Sequence, residues 1–398
     1  MKIYYHSPSK SWYHRSKKQQ LYMGGNRTEI NYHREHQSET GHSFSIRTFE
    51  KSKGIAVGIL TSRADKNDVG IGGNLPLFQD LHLYLAKHGI FSYVFTPEDV
   101  RNEEFYGFIF SSELTQWIKV SVPAPDVVYN RIPFRSHEVS RKFRQTKNIL
   151  KRYNIPLFNP RFLHKYEIFE LFKEDDFLKK LLPDTRLFSS STALFAFLKT
   201  HRKIYVKPVT GNRGSGISIL TLKQDETLEV LTPSKQKQFN SFSHFWEQES
   251  KKFDSNTYII QKAISPKKID GHRYDYRVLV HYENGSYQLS GKAVRMSQTQ
   301  EITTHIPKGG MLYPYEKVRT DELDERLMKI AERCGKVLRD AFGFFGEFSI
   351  DLGEDESGML YLFEVNSKPM QFDEEEIEIQ RRSNLKNLFI ELALNSPL

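Results

Sequence analysis

Cysteine is all but missing from this sequence: of 398 residues only Cys334 is one. No internal disulfide and no cysteine-built zinc cluster can form, and a reducing compartment is the expected setting. Long apolar runs are also lacking. The longest, such as "GIAVGIL" from Gly54, fall far short of the roughly 20 residues that span a bilayer. The opening "MKIYYHSPSKSWYHRSKK" has no apolar core of a secretory signal, so no signal peptide and a cytoplasmic setting are expected. No Ser/His/Asp or Cys/His nucleophile stands out, and the 14 histidines are scattered. There is no internal repeat and no low-complexity tract.

What is present suits a globular protein, with 38% hydrophobic and 27% charged residues. The length allows two or three domains. The net charge of +9 is unevenly spread: residues 1–53 hold 10 Lys and Arg against 4 Asp and Glu. Such a segment could meet an anionic surface or nucleic acid. The expectation here is a solvated extension dispensable for chemistry, with nucleic acid an unlikely partner, because the excess precedes the first clear strand.

From Gly54 the texture is α/β. "GIAVGILTSR" is a buried strand, and "GIGGNLPLFQDLHLYLAKHGI" is a glycine-rich turn followed by a helix with Leu77, Leu81, Tyr84 and Leu85 on one stripe. "FSYVFTP", "YGFIFSS" and "PDVVYNRIP" read as further strands of a small parallel sheet over residues 54–155. A second unit, 156–398, is α+β. It opens with a helix in "FNPRFLHKYEIFELFKED" and later carries long strands, a helix over 321–342, and two closing strands.

Charged residues inside apolar strands are the chemical signal. Lys207 sits in "YVKPV" just before the loop "VTGNRGSGI", whose Gly211, Gly214 and Gly216 let backbone N–H groups approach an anion. No Gly-Lys-Ser/Thr follows, so it is not a Walker loop. A lysine in an apolar strand is costly unless it meets an anion. Arg277 in "DYRVLVHY", with Lys292 and Arg295 in "GKAVRMS", offers forks for phosphate or carboxylate, or else internal salt bridges. In "GEFSIDLGED" alternation puts Glu347, Ser349 and Asp351 on one face. In "LYLFEVNSKPM" it puts Glu364, Asn366 and Lys368 on one face, with Phe363 and Val365 on the other. A hairpin of the two gathers Asp351, Glu364 and Asn366, an all-oxygen set suited to Mg²⁺. Glu354 to Glu356 and Asp373 to Glu376 read as solvated turns. Lys368 would either neutralise a substrate carboxylate or balance the acids, with the first preferred.

The order of lysine, glycine loop, hinge strand, arginines and an acid–acid–Asn hairpin resembles the ATP-grasp superfamily of carboxylate–amine ligases over roughly residues 156–370. "GILTSR", "PLFQDL", "YVFTPEDV", "PDVVYNRIPFRSHE" and "LPDTRLF" extend the resemblance to the YheC/YheD endospore coat-associated family over about Gly54–Leu394. It implies an ATP-grasp fold behind a pre-ATP-grasp domain, with ATP and two Mg²⁺ ions as cofactors. Its partners would be a small-molecule or peptide carboxylate, an amine and spore-coat proteins, in the mother cell or the coat. Lys165 and Lys207 would meet phosphates rather than acids of the chain. Gly211, Gly214, Ser215 and Gly216 would cover the phosphates, and Gln261, Lys262, Ala263 and Ile264 would line the adenine. Asp351, Glu364 and Asn366 would hold the metal. Arg277 and Arg295 are the candidates for catalysis. The chain departs from the pattern at Thr304 and His305 before "GG" and at Lys262 in the hinge, leaving Asp270 as a weak candidate for the ribose. The rival expectation is a coat structural protein that keeps the fold with little or no turnover.

Overall fold

The computed structural model describes residues 1–17, 19–33, 42–49, 52–64, 69–209, 216–253, 257–298 and 309–395. Among these residues no helix is long and apolar enough to cross a membrane.

Four parallel strands, Leu157–Phe158, Val127–Asn130, Ala56–Leu60 and Phe91–Phe95, form the centre of the first sheet, as the alternation of strands and helices predicts. Helix Leu75–Lys87 packs on it. Asn74 caps its start by accepting from the Leu77 N–H at 3.2 Å, and Leu77, Phe78, Leu81 and Leu85 are buried. The predicted all-parallel sheet is corrected at its edge, where strands Glu104–Ser111 and Gln116–Val122 run as an antiparallel hairpin. The stretch between Phe95 and Glu104 is shorter than the dozen or so residues a parallel crossover needs.

The basic N-terminal segment is not a solvated extension. Its strands Lys2–His6, Ser11–His14 and Ser43–Ser45 share one small sheet. A second joins Tyr22–Met23 to Lys53–Gly54. Ile3, Trp12, Leu21, Met23, Ile30 and Ile46 are buried in the same core as Ala56, Phe91 and Val128. The Trp12 Nε1–H donates to the Ser121 carbonyl at 2.8 Å. Alternation hid this: Ile3 and Tyr5 face inward between Lys2, Tyr4 and His6, so average composition reads as polar while one face is a core face.

Two antiparallel sheets follow. One runs Thr185–Leu187, Tyr258–Lys262, Lys203–Pro208, Ser218–Leu222, Leu228–Thr232 and Lys235–Phe239. The other runs Gly310–Tyr313, Ser286–Ser297, His272–Glu283, Glu347–Glu354 and Leu360–Asn366. Helix Asp321–Phe342 covers the second sheet. Thr320 caps it, Asp321, Glu322 and Asp324 complement its N-terminal dipole, and Leu323, Leu327, Ile330 and Leu338 are buried.

Helix Glu375–Asn395 ties the parts together. Its Leu385, Leu388, Phe389 and Leu392 lie in one core with Ile55, Val57 and Ile59. Glu375 and Glu376, expected in a solvated turn, open this helix instead. Fully buried Glu347 accepts from Arg381 at 2.8 and 2.9 Å and from Arg131 at 3.3 Å. Burial opposes its ionisation, yet Arg381 and His281 hold its carboxyl well below the usual range. Glu347 therefore binds strand to helix and is not a cleft residue. Removing one partner of a buried pair strands the other charge. Arg381→Met is accordingly expected to cost about 3–5 kcal/mol, read as a lower urea midpoint at constant m-value.

Candidate functional site

The two antiparallel sheets and the loops that follow strands of the parallel sheet enclose a cleft of about 930 Å³. Register builds its floor. Arg277 stands opposite Asp351, and Asp351 opposite Glu364, on three adjacent strands. Arg295 pairs with Asp275, two residues from Arg277, on the fourth. All four line the cleft, so a row of two cations and two acids crosses the sheet at strand spacings of about 4.8 Å.

A bulge sets the last position. Leu352 pairs with Leu362 while Asp351 pairs with Glu364, leaving Phe363 between them without a partner. The expectation that Phe363 faces away from Glu364 is thus corrected, for both line the cleft. The extra residue shifts the alternation by one, so Leu362 and Val365 keep the core face.

Several groups in the row have unused bonding capacity. Asp351 Oδ1 is buried and accepts no hydrogen bond, and Arg277 Nε is buried and donates none. The Arg277 guanidinium lies 3.9 Å from Asp351 Oδ1 and over the Phe372 ring. Arg295 is only 9% exposed, and the described residues show no hydrogen bond or ion pair to its guanidinium. Asn366 Nδ2 lies 3.4 Å from Asp351 Oδ2. Two carboxylates, an amide oxygen and an unspent carboxylate lone pair fit a hard cation that takes its remaining ligands from phosphate or water. Among the described residues no group of three or more His, Cys, Asp or Glu could hold a metal, so any metal here depends on the Asn and on ligands from outside the chain.

The lysines divide. Lys165, at the start of helix Lys165–Lys173, pairs with Glu364 at 2.5 Å, which corrects the expectation that it meets no acid of the chain. An ammonium and a carboxylate facing each other across a half-buried gap attract more strongly than either does through water. Lys207 makes no ion pair with an acid among the described residues. It donates to Gln261 Oε1 at 2.6 Å, and Gln261 in turn donates to Thr185 at 2.8 Å. Burial, then repulsion from Lys165, pulls Lys207 down to about 8. Lys368 has no charge to spare: it donates to Asn130 at 3.1 Å, Ile132 O at 2.9 Å and Glu138 at 2.6 Å. Its preferred role at a substrate carboxylate is corrected, because all three ammonium protons are engaged. Lys292 leaves the cleft altogether and pairs with Asp324 at 2.6 Å.

Of the hinge, Gln261, Lys262 and Ile264 line the cleft and Ala263 does not. Asp270 lies outside the cleft lining, in the exposed turn between Ile269 and His272, with φ +50°. It and Gly271 close a tight hairpin, which explains an Asp there without any ribose. Gly216 adopts φ +72° and also lies outside the lining. Gly211, Gly214 and Ser215 lie outside the described residues, as do Thr304 and His305. Glu354, read as part of a solvated turn, accepts from Tyr274 at 3.0 Å and Tyr276 at 2.8 Å.

The loops after the parallel strands, and Phe162 beyond them, add residues that sequence reasoning missed: Gly73, Asn74, Arg131, Phe134 and Phe162. A signal existed. Arg131 to Phe134 and Gly73 to Asn74 follow the carboxyl ends of parallel strands, where open α/β sheets place ligands.

An anion bound beside Lys207 would bind in a pH-dependent way. It would favour the protonated amine, so affinity would have its full value below about pH 8. Above that, binding must recruit a proton, and affinity is expected to fall by up to about tenfold per pH unit. Titrating Mg-ATP affinity from pH 6.5 to 9.5 checks this. Lys207→Arg, charged throughout, is expected to flatten the profile.

A family described as YheC/D-like ATP-grasp matches residues 154–394. The chain is 30% identical over 314 residues to the endospore coat-associated protein YheD of Bacillus subtilis (strain 168), covering 73% of this chain and 69% of that one. It is 22% identical over 288 residues to YheC of the same organism, covering 69% and 79%. Among solved structures, the VanG D-Ala:D-Ser ligase from Enterococcus faecalis superposes with a TM-score of 0.51 at 12% identity, covering 85% of this chain and 99% of that one.

Proposed function

The chain belongs to the YheC/D-like ATP-grasp family, and from that premise we propose that it is an ATP-dependent carboxylate–amine ligase of the endospore coat. The observation that carries the reading is the row Arg295, Arg277, Asp351 and Glu364, where buried polar groups of both signs face one cleft with bonding capacity unspent. Among the described residues, Lys165 and Lys207 would hold the phosphates, with Gln261, Lys262 and Ile264 beside the base. Asp351, Glu364 and Asn366 would hold magnesium, which when bound neutralises charge on the phosphates. Residues 54–155, with the N-terminal sheets added, would be the pre-ATP-grasp unit, and 156–398 the ATP-grasp unit.

In the proposed reaction a carboxylate oxygen attacks the γ-phosphorus, the bond to the bridging oxygen breaks, and ADP leaves. The acyl phosphate then meets an amine nitrogen. A C–N bond forms, inorganic phosphate departs from the acyl carbon, and the nitrogen loses a proton. The chain's share is positioning and charge: the arginine forks orient the reacting oxygens, and the enclosed cleft limits water. The coat setting is carried over from the printed names of the two relatives.

A second reading is a coat protein that holds nucleotide without turnover. The Lys165–Glu364 pair favours it, since it sets a phosphate lysine against a metal carboxylate. Two measurements separate the readings. Magnesium is expected to tighten ATP binding to the wild type, and Glu364→Ala to lose at least about tenfold of that gain by calorimetry. Equal magnesium gains in both proteins would remove Glu364 from the metal site. ADP release screened over carboxylate and amine mixtures then decides turnover: stoichiometric nucleotide binding with no release selects the scaffold.

A further inference from the structure

The stretch "LPDTRLF" sends no side chain into the cleft lining. One of its residues nevertheless reaches the cleft through others. Thr185 stands directly opposite Gln261, and Gln261 opposite Tyr205, on three adjacent strands. Lys207 lies two residues beyond Tyr205. Alternation therefore puts Thr185, Gln261 and Lys207 on one face of the sheet, with Lys207 on the diagonal. Thr185 and Gln261 are both buried.

The hydrogen bonds along this row run in one direction. The Thr185 hydroxyl donates its single proton to the Pro183 carbonyl at 2.8 Å. Its oxygen is left to accept, and Gln261 Nε2 donates to it at 2.8 Å. That fixes which way round the amide sits and turns Gln261 Oε1 towards Lys207. An ammonium can only donate, and Lys207 does so at 2.6 Å. Reversing the amide would set Nε2 against the ammonium, donor against donor, and Oε1 against a hydroxyl whose proton is already spent. A backbone carbonyl at one end thus dictates the arrangement at the other.

The relay ends on a charge that it does not cancel. Among the described residues only one of the three Lys207 N–H groups is taken, and its acceptor is neutral. The ammonium lies 4.9 Å from the centre of the Tyr205 ring and 5.9 Å from that of Phe363. The charged groups around it are Lys165 and Arg273, which repel it, and Glu364, which attracts it. A carboxylate in place of the Gln261 amide would accept the same bond but neutralise the cation. The oriented amide holds the ammonium still and leaves two N–H groups and the whole charge for an anion in the cleft.

Resting on the reading that Lys207 meets the nucleotide phosphates, we infer that Thr185 is a positioning residue. Through the Gln261 amide it aims the Lys207 ammonium at the bound phosphate and keeps its charge undiminished.

The test is calorimetric Mg-ATP affinity followed over pH in wild type and three variants. In wild type the affinity is expected to break near pH 8. Thr185→Val keeps the shape of the side chain but frees the amide to turn. The ammonium then loses support, its proton leaves more readily, and the break is expected to move down by about half a pH unit or more. Thr185→Ser keeps the hydroxyl and is expected to keep the wild-type break. Gln261→Glu puts an acid beside the ammonium, so the break is expected to rise by about one unit or more, while affinity at pH 7 falls by about tenfold or more. The two shifts have opposite signs, which a loss of stability alone does not produce. A lower unfolding temperature in Thr185→Val with its break at the wild-type pH overturns the inference, as does a Gln261→Glu break that does not rise. Should Thr185→Val fail to fold, Gln261→Glu decides, since that side chain lines the cleft beside a cation. Normal Mg-ATP binding in wild type without any break overturns this inference alone. Absence of Mg-ATP binding overturns it together with the proposed function.

Discussion

Arg295→Lys is expected to leave Mg-ATP affinity within a few-fold of wild type and to slow ADP formation by about a hundredfold or more. The buried Arg295 guanidinium stands diagonally from Arg277, in the register that carries the row on to Asp351. A phosphoryl group in transfer spreads negative charge over its oxygens. A planar fork held at that place stabilises the spread charge more than it stabilises bound ATP, so its loss falls on the rate and not on binding. Lysine keeps the charge but offers one strongly hydrated ammonium on a flexible stem in place of a planar fork, and the two are not interchangeable at a bidentate site. The measurement is single-turnover ADP formation with a substrate pair found by the screen. An unchanged rate would assign Arg295 to structure and leave Arg277 as the candidate at the phosphoryl group. A large loss of ATP affinity with the rate intact would make it a ground-state binding residue.

A chain beginning at Lys53 is expected not to fold. This reverses the sequence expectation that the basic segment is dispensable. Ile3, Leu21, Met23, Ile30 and Ile46 are each at most 3% exposed, and Tyr5 and Trp12 are at most 8% exposed, all in one core with the parallel strands. Each such side chain contributes about 1.5–3 kcal/mol on burial. Lost together these seven amount to about 10–20 kcal/mol, as much as the whole 5–15 kcal/mol that separates a typical domain from its unfolded state. The exposed face left behind would also aggregate. A gentler variant tests the same packing in the full chain. Trp12 meets Phe91 edge-on at 5.0 Å, and Trp12→Ala is expected to cost about 3–5 kcal/mol, read from thermal and urea unfolding by circular dichroism. A soluble chain from Lys53 that unfolds cooperatively near the wild-type temperature would show that these strands only decorate the domain.

The charge count and the core position of this segment answer different questions. Net charge sums over a stretch, whereas burial depends on every second residue. Ile3 and Tyr5 lie between Lys2, Tyr4 and His6, and a sum cannot see a face. The same limit applies to Glu347. Alternation placed it in line with Asp351, and it does share that face. Arg381, 34 residues further on, then claims it for the core. No pattern within one strand indicates which distant helix will cover one end of it.

Local order was enough for much else. Thr320 before three acids and an apolar stripe is a helix start wherever it sits, and Asn74 before Pro76 is another. Lysine or arginine inside an apolar strand points to an anion because the cost of burying a lone cation is a property of the residue. Two-residue alternation likewise puts Glu364 and Asn366 on one face before any partner is known. The sequence by itself therefore determined the α/β and α+β elements, the family and the set of polar residues available to a nucleotide. Tertiary structure alone decided how they are spent. It aligned Arg295, Arg277, Asp351 and Glu364 through the register of four strands, turned Phe363 into the cleft by a bulge, set Lys165 on Glu364, and consumed Lys368 on Asn130, Ile132 and Glu138. The physical reason is range: propensity and periodicity act within a few residues, whereas ion pairing and burial are settled by groups that only folding brings together.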